Sequence, residues 1–293
     1  MQFLIYILVY PFLWIISILP FKVLYLVSDG LYILIYRIFG YRKKTVKENI
    51  KLVFPEKSNE EINLIAKKFY HHLCDMFLEM IKSLSITQEQ LSKRFIVRNV
   101  DELKRIDGQY LSYILMFGHY SSYEWTITIQ EHIKAKGFVI YKTLKNKYFD
   151  RLVRNIRSKY NSELVDTKQA IDKINQYHDT GKKNCIVFLS DQSPKLKKTN
   201  YWTNFMGIKV PCFVGAEVTA KKFNYPVGYM KIEKVKRGHY EADFVILAED
   251  PSQYKNFEIT DKFNRVLESQ IIQAPEFYLW THKRWKHRDK APK

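Results

Sequence analysis

The stretch Ile114-Leu-Met-Phe-Gly118-His119-Tyr-Ser-Ser-Tyr-Glu124-Trp125 decides how the rest of the chain is read. An apolar run closed by a glycine predicts a buried strand and a turn, and a helical pattern starts at Ser121. On one continuous helix His119 and Glu124 would stand about 140° apart and could not meet. With a strand up to Phe117 and a helix from Ser121, His119 hangs in the connecting loop and Glu124 folds back towards it. That arrangement suits an imidazole general base oriented by a carboxylate. Ser121-Ser-Tyr-Glu124 is equally an S-x-x-E capping box, in which the glutamate satisfies a backbone amide. Spacing alone leaves both open.

Outward from this stretch, short apolar or β-branched runs alternate with longer helical ones. Strands are expected over 95–100, 111–117, 137–141, 163–165, 185–190, 225–232 and 240–247, with helices over 122–136, 147–160, 168–179 and 213–223. The pattern is that of an α/β domain, a central mixed sheet flanked by helices. The strand over 185–190 delivers Asp191 and Gln192 to a sheet edge, where α/β proteins place ligand contacts. A turn-initiating aspartate explains Asp191 as well. The helix over 147–160 carries Arg151, Arg154 and Arg157, with Lys142 and Lys145 ahead of it. Such a run is a solvated basic face or a set of donors for a phosphate-bearing substrate.

Upstream, residues 1–36 carry only Lys22 and Asp29 as charged side chains and divide at Pro20 into apolar halves, 3–19 and 21–39. Either half is marginal as a membrane span, which needs about 20 apolar residues. The scattered Tyr6, Tyr10, Trp14, Tyr25, Tyr32 and Tyr36 favour helices lying in the membrane interface over a clean hairpin. The expected organisation is a hydrophobic membrane-binding helical region over 1–40 and an α/β domain over 41–293. Arg42, Lys43 and Lys44 open a basic amphipathic helix suited to anionic headgroups. Ser58-Asn-Glu-Glu61 is a capping box for a packed helix that carries His71 and His72, neither with a ligand-spaced partner. At the other end, residues 280–293 mix Trp280, His282, Arg284, Trp285 and Lys286. They are expected to be an amphipathic anchor in preference to a nucleic-acid patch.

The 293 residues carry 48 Lys+Arg against 30 Asp+Glu, a net charge of +18, so an anionic partner is expected. The three cysteines, Cys74, Cys185 and Cys212, show neither a disulfide framework nor zinc spacing, and a reducing compartment fits best.

These residues together resemble the bacterial late acyltransferases of lipid A biosynthesis, within the lysophospholipid acyltransferase superfamily. The resemblance covers nearly the whole chain. It includes the apolar N-terminus, the block from Tyr41-Arg42 to Asn49 and Phe54-Pro55, and Glu79. The H-x4-[DE] signature follows at His119 and Glu124, then Arg157, Asp191-Gln192, Phe205-Met-Gly207 and the ending Pro275 to Lys286. Ser121-Ser122 stands where many members carry Gly-Asn, and Lys142 where many carry Arg. The resemblance implies a glycerolipid-acyltransferase-like fold and transfer of a fatty acyl group from an acyl-carrier-protein or CoA thioester to a hydroxyl of a lipid A precursor. It places the reaction at the cytoplasmic face of the bacterial inner membrane. His119 would be the base and Glu124 its partner. Arg157 would bind acceptor phosphate or order the site, Lys142 and Gln192 would contact substrate, and Asp191 would be a structural or substrate-hydroxyl contact. No metal, cofactor or nucleic acid is implied. The alternatives are an acyltransferase for another membrane lipid, and a non-enzymatic basic protein of membrane surface or nucleic acid in which His119 and Glu124 are structural.

Overall fold

The computed structural model describes residues 2–292. Helices α1 (Gln2–Ile18) and α2 (Phe21–Tyr32) meet at Pro20, which starts α2, and α2 runs on as a π-helical turn, Ile33–Ile38. Helices α3 (Lys43–Val53) and α4 (Asn59–Lys82) follow. Ser58 and Glu61 make both bonds of the capping box at the start of α4, as the sequence predicts. Then come α5 (Gln88–Ser92), β1 (Phe95–Val97), α6 (Val100–Gln109), β2 (Ser112–Phe117), β3 (Lys136–Tyr141), α7 (Lys147–Ser158), β4 (Ser162–Asp166), α8 (Ala170–Asp179) and β5 (Asn184–Leu189). The chain ends with β6 (Trp202–Phe205), β7 (Ile208–Pro211), α9 (Gly215–Phe223), β8 (Val227–Lys236), β9 (His239–Ala248) and α10 (Glu258–Gln273).

Seven strands form one sheet in the order β1-β9-β8-β2-β5-β3-β4, parallel except for the antiparallel pair β8/β9. The sheet is therefore mixed, as expected, and all seven anticipated strands lie in it. The pair β6/β7 and helices α6 and α10 were not anticipated: β6 and β7 are four residues each, and α6 carries a glycine near its end. β2 is central and buried on both faces, which is why it reads as an unbroken apolar run. Its Ile114 and Met116 face a core shared with α3, α4, α9 and α10, while Tyr113, Leu115 and Phe117 face one shared with α5, α6 and Trp125.

The N-terminal helices are fastened to the sheet domain. Lys82 donates to the carbonyls of Ser17 (2.6 Å) and Leu19 (2.8 Å), satisfying the open C-terminal end of α1. Arg237, in the β8/β9 turn, holds Asp29 of α2 and Asp75 of α4 together. Tyr25 and Tyr240 both donate to buried Glu79, each at 2.8 Å. Phe3 and Tyr6 of α1 pack on Tyr148 of α7. The outer face of α1 and α2 is nonetheless apolar and open, with Leu4, Leu8, Phe12 and Leu26 each more than 60% exposed. Among the described residues no single helix is long and apolar enough to cross a membrane. The segments Phe21–Ile38 and Lys43–Val53 reach that length together, but bend by 86° between them.

The C-terminal expectation is corrected. Trp280, Arg284 and Trp285 are at most 1% exposed and belong to the core. Their backbone is held by Asn49, which donates to the carbonyls of Trp280 and His282, and by Arg42, which donates to that of Thr281. The Arg284 guanidinium is buried over Phe205, donating to the Pro211 carbonyl and the Cys212 sulfur. A mixed aromatic and basic segment is thus a core strap: its backbone carbonyls meet donors from Asn49 and Arg42, and two of the three Arg284 guanidinium nitrogens meet acceptors, Nε alone being buried without a partner. His72, on α4, is buried edge-on to Phe277 with neither ring nitrogen bonded, while His71 is half exposed and stacks on Tyr32.

Candidate active site

Two parallel strands of equal length place the site. In β2 and β5, Phe117 pairs with Leu189, so two residues further on His119 and Asp191 leave the sheet at the same level. Gly118, between strand and histidine, passes so close to α10 that a Cβ there would lie 2.7 Å from Leu267 Cδ1. A side chain at 118 would have to displace the buried Leu267 side chain.

His119 Nδ1 lies 2.6 Å from Asp191 Oδ1. Asp191 is 2% exposed, so this is a desolvated pair. Burial disfavours the imidazolium, but the Asp191 charge and hydrogen bond, with Glu124 further off, more than offset it, and the pKa of His119 ends above that of ordinary imidazole. Burial likewise opposes the Asp191 carboxylate, and His119 with backbone N–H donors outweighs it, so Asp191 is held below its usual pKa. The other imidazole nitrogen, Nε2, is 3.3 Å from the amide nitrogen of Gln192. Tyr123 packs its ring edge-on to the imidazole at 5.0 Å between centroids.

Glu124 is elsewhere than expected. It takes both hydrogen bonds of the Arg157 guanidinium, from Nη2 to Oε1 at 2.5 Å and from Nε to Oε2 at 3.1 Å. The carboxylate on the imidazole is therefore Asp191, and Glu124 reaches His119 only through its charge. The capping box is also corrected. Ser121 has a left-handed backbone (φ 54°), its hydroxyl is buried without a partner, and the helix that follows is a 3-10 helix, Tyr123–Glu131, with no side-chain cap. The expected α-helix over 122–136 ends early because Lys136 already belongs to β3.

A cavity of about 550 Å³ opens beside these groups. It lies between the 3-10 helix and one face of the sheet, and Leu115, Val139 and Val187 of the strands meet Ile127 and Ile133 across it. His119, Glu124, Arg157, Gln192 and Lys142 are among its polar lining. Arg157 stacks over Tyr141, while Lys142, just past β3, is exposed. All six residues singled out in the sequence therefore lie on or beside one cavity. Tyr123, Tyr278 and His282 were missed. Burial and the nearby Asp191 charge push the Tyr278 phenol well up. Burial drives the His282 pKa down to about 4, so its Nε2 stays an acceptor for the Ser193 N–H at 3.2 Å. No sequence spacing marks these two, since they arrive from the C-terminal strap.

Comparison with known proteins places the chain among acyltransferases. The chain is 23% identical over 291 aligned positions to the lipid A biosynthesis lauroyltransferase of Escherichia coli (strain K12), covering 94% of this chain and 89% of the relative. It is 20% identical over 278 positions, with the same coverage, to the lipid A biosynthesis palmitoleoyltransferase of the same strain and to the lipid A biosynthesis acyltransferase of Shigella flexneri. The family model described as bacterial lipid A biosynthesis acyltransferase matches residues 1–287. With that match running through sheet, cavity and His119 alike, the chain belongs to the bacterial lipid A biosynthesis acyltransferase family and is an O-acyltransferase.

Proposed function

We propose that this enzyme moves a fatty acyl chain from an acyl-carrier-protein or CoA thioester to a hydroxyl of a lipid A precursor, with His119 as general base. The observation that carries the reading is the buried His119–Asp191 pair at the edge of a largely apolar 550 Å³ cavity. A cavity of this size and lining takes a hydrocarbon chain and excludes water from the thioester. The acceptor hydroxyl gives its proton to His119 Nε2 as its oxygen attacks the thioester carbon. The carbonyl electron pair moves to oxygen. On collapse the C–S bond breaks and the leaving thiolate takes the proton from Nε2. Asp191 fixes the tautomer with hydrogen on Nδ1 and stabilises the imidazolium that forms. Glu124 keeps Arg157 ordered at the cavity, and Arg157 with Lys142 offers charge to the acceptor phosphates. The step as written needs no metal or nucleotide.

The open apolar face of α1 and α2 would lie in the interface at the cytoplasmic face of the inner membrane, with the acyl chain entering beside α7, on which α1 packs. A net charge of +18 favours encounter with acidic carrier protein and anionic lipid alike.

Mass spectrometry of lipids from cells with wild-type protein and with His119→Ala tests this. One acyl chain is expected to disappear from lipid A, with the variant folded and its transfer rate down about 10²–10⁴-fold. Loss from another lipid moves the acceptor assignment, and an unchanged profile removes His119 from the chemistry.

A further inference from the structure

The acyl-transfer step leaves one need unmet and one residue unused. The need is a donor for the oxyanion that forms on the thioester carbonyl. Three of the backbone amides around the base are already committed: Ser121 N–H donates to Phe277 O, Ser190 N–H to Phe117 O and Ser193 N–H to His282 Nε2. The Arg157 guanidinium gives Nε and Nη2 to Glu124, and in the proposed function its remaining charge serves the acceptor phosphates.

The unused residue is Gln192. Asp191 accepts from Nδ1, so in the neutral imidazole, the form that acts as base, the proton sits on Nδ1 and Nε2 presents a lone pair. The Gln192 amide nitrogen, 3.3 Å away, is therefore a donor to the same lone pair that must receive the acceptor's proton. The bond cannot survive the reaction. As the hydroxyl arrives it displaces the amide, and once Nε2 is protonated it would set N–H against N–H. The amide loses its partner at the moment an anionic oxygen appears within the same cavity, which Gln192 also lines.

We propose that Gln192 is a catalytic residue: its side-chain amide rests on His119 Nε2 in the free enzyme and turns to donate to the thioester oxyanion during transfer. The inference rests on the acyl-transfer reading. It makes the donor interaction stronger in the transition state than in the ground state, which is the condition for raising kcat and not merely binding.

The test uses the full chain with a lauroyl thioester, following both transfer to a lipid A precursor and slow hydrolysis by water without acceptor. Gln192→Ala and the near-isosteric Gln192→Glu are each expected to lose about 10²–10³-fold in kcat in both assays, with little change in KM for the thioester. Loss of the donor to the neutral imidazole should also raise the pH at which the rate limb of His119 appears. Either variant at wild-type kcat, or faster as when a plug is removed, overturns the assignment. Wild-type hydrolysis without transfer counts against the lipid A acceptor, while Gln192 is then judged on hydrolysis. A wild type with neither activity overturns the acyl-transfer reading itself.

Discussion

Two carboxylates flank His119, and they differ in what they face. Asp191 is 2% exposed and spends its charge on the imidazole, whereas Glu124, with a 10% exposed side chain, spends its own on Arg157. Glu124 is five residues from the histidine in sequence and Asp191 is seventy-two. The nearer one is not the partner, because the parallel register of β2 and β5 delivers His119 and Asp191 to one level while the 3-10 helix carries Glu124 to α7. A guanidinium never loses its charge, so Arg157 holds Glu124 throughout and the pair orders the cavity. The imidazole can lose its charge, so the Asp191 pair cycles. In the proposed mechanism, chemistry belongs to the pair that titrates.

This contrast can be broken in several ways. The largest effect is expected of Asp191→Asn, which keeps the shape and loses the charge that selects the tautomer; the transfer rate should fall about 10²–10⁴-fold with the thermal melt little moved. Glu124→Gln should instead act first on stability. It leaves a largely buried arginine without its counter-ion, and a loss of about 1–3 kcal/mol by denaturant titration is expected, partly recovered in Glu124→Gln/Arg157→Gln. If Glu124→Gln is as slow as Asp191→Asn while fully stable, the division of labour is wrong.

A third carboxylate sharpens the rule that setting decides role. Burial lifts the pKa of Glu79 to about 7, although Lys234 and the hydroxyls of Tyr25 and Tyr240 pull it down. The folded state then binds the proton more tightly than the unfolded one, whose pKa is 4.5. This contribution is full below pH 4.5, falls as pH rises to about 7, and is absent above, a change on the order of 3 kcal/mol. Equilibrium unfolding between those pH values should show the decline, and Glu79→Gln should flatten it. The smallest effect is expected at Ser121, where glycine would relieve a left-handed backbone and an unpaired buried hydroxyl, adding about 1 kcal/mol by the same measurement.

Much of the fold was legible because its strands are short, apolar and separated by turn residues. β2 and β5 read as buried runs, and the ends of both were expected to carry the site. What the sequence does not encode locally is register, and register chose Asp191 over Glu124 as the partner of His119. The two termini make the same point. Aromatic residues mark both, set among apolar ones at the N-terminus and basic ones at the C-terminus, and both read as membrane-seeking. In residues 280–285 the cation of Arg284 finds acceptors at Pro211 and Cys212 inside the core, while the outer face of α1 finds no protein to cover it. Those contacts lie about seventy residues apart in sequence, and composition does not see them. The 3-10 helix was missed for a related reason: Ser121 looks like a cap, but its left-handed backbone turns the chain so that Trp125 enters the core and donates to the Glu79 carbonyl and the Ser83 hydroxyl.

The most direct test of the account is the pH dependence of kcat/KM for acyl transfer in the wild type, Asp191→Asn and Glu124→Gln. The wild-type rate should rise with pH through a pKa above 6.5, the ordinary imidazole value, because Asp191 favours the protonated base. Asp191→Asn should move that limb to lower pH at a much lower plateau, and Glu124→Gln should move it in the same direction by less, since the Glu124 charge acts on His119 from further off than the Asp191 charge and hydrogen bond. A limb that stays put in Asp191→Asn and shifts in Glu124→Gln would contradict the assignment of Asp191 as the partner of His119.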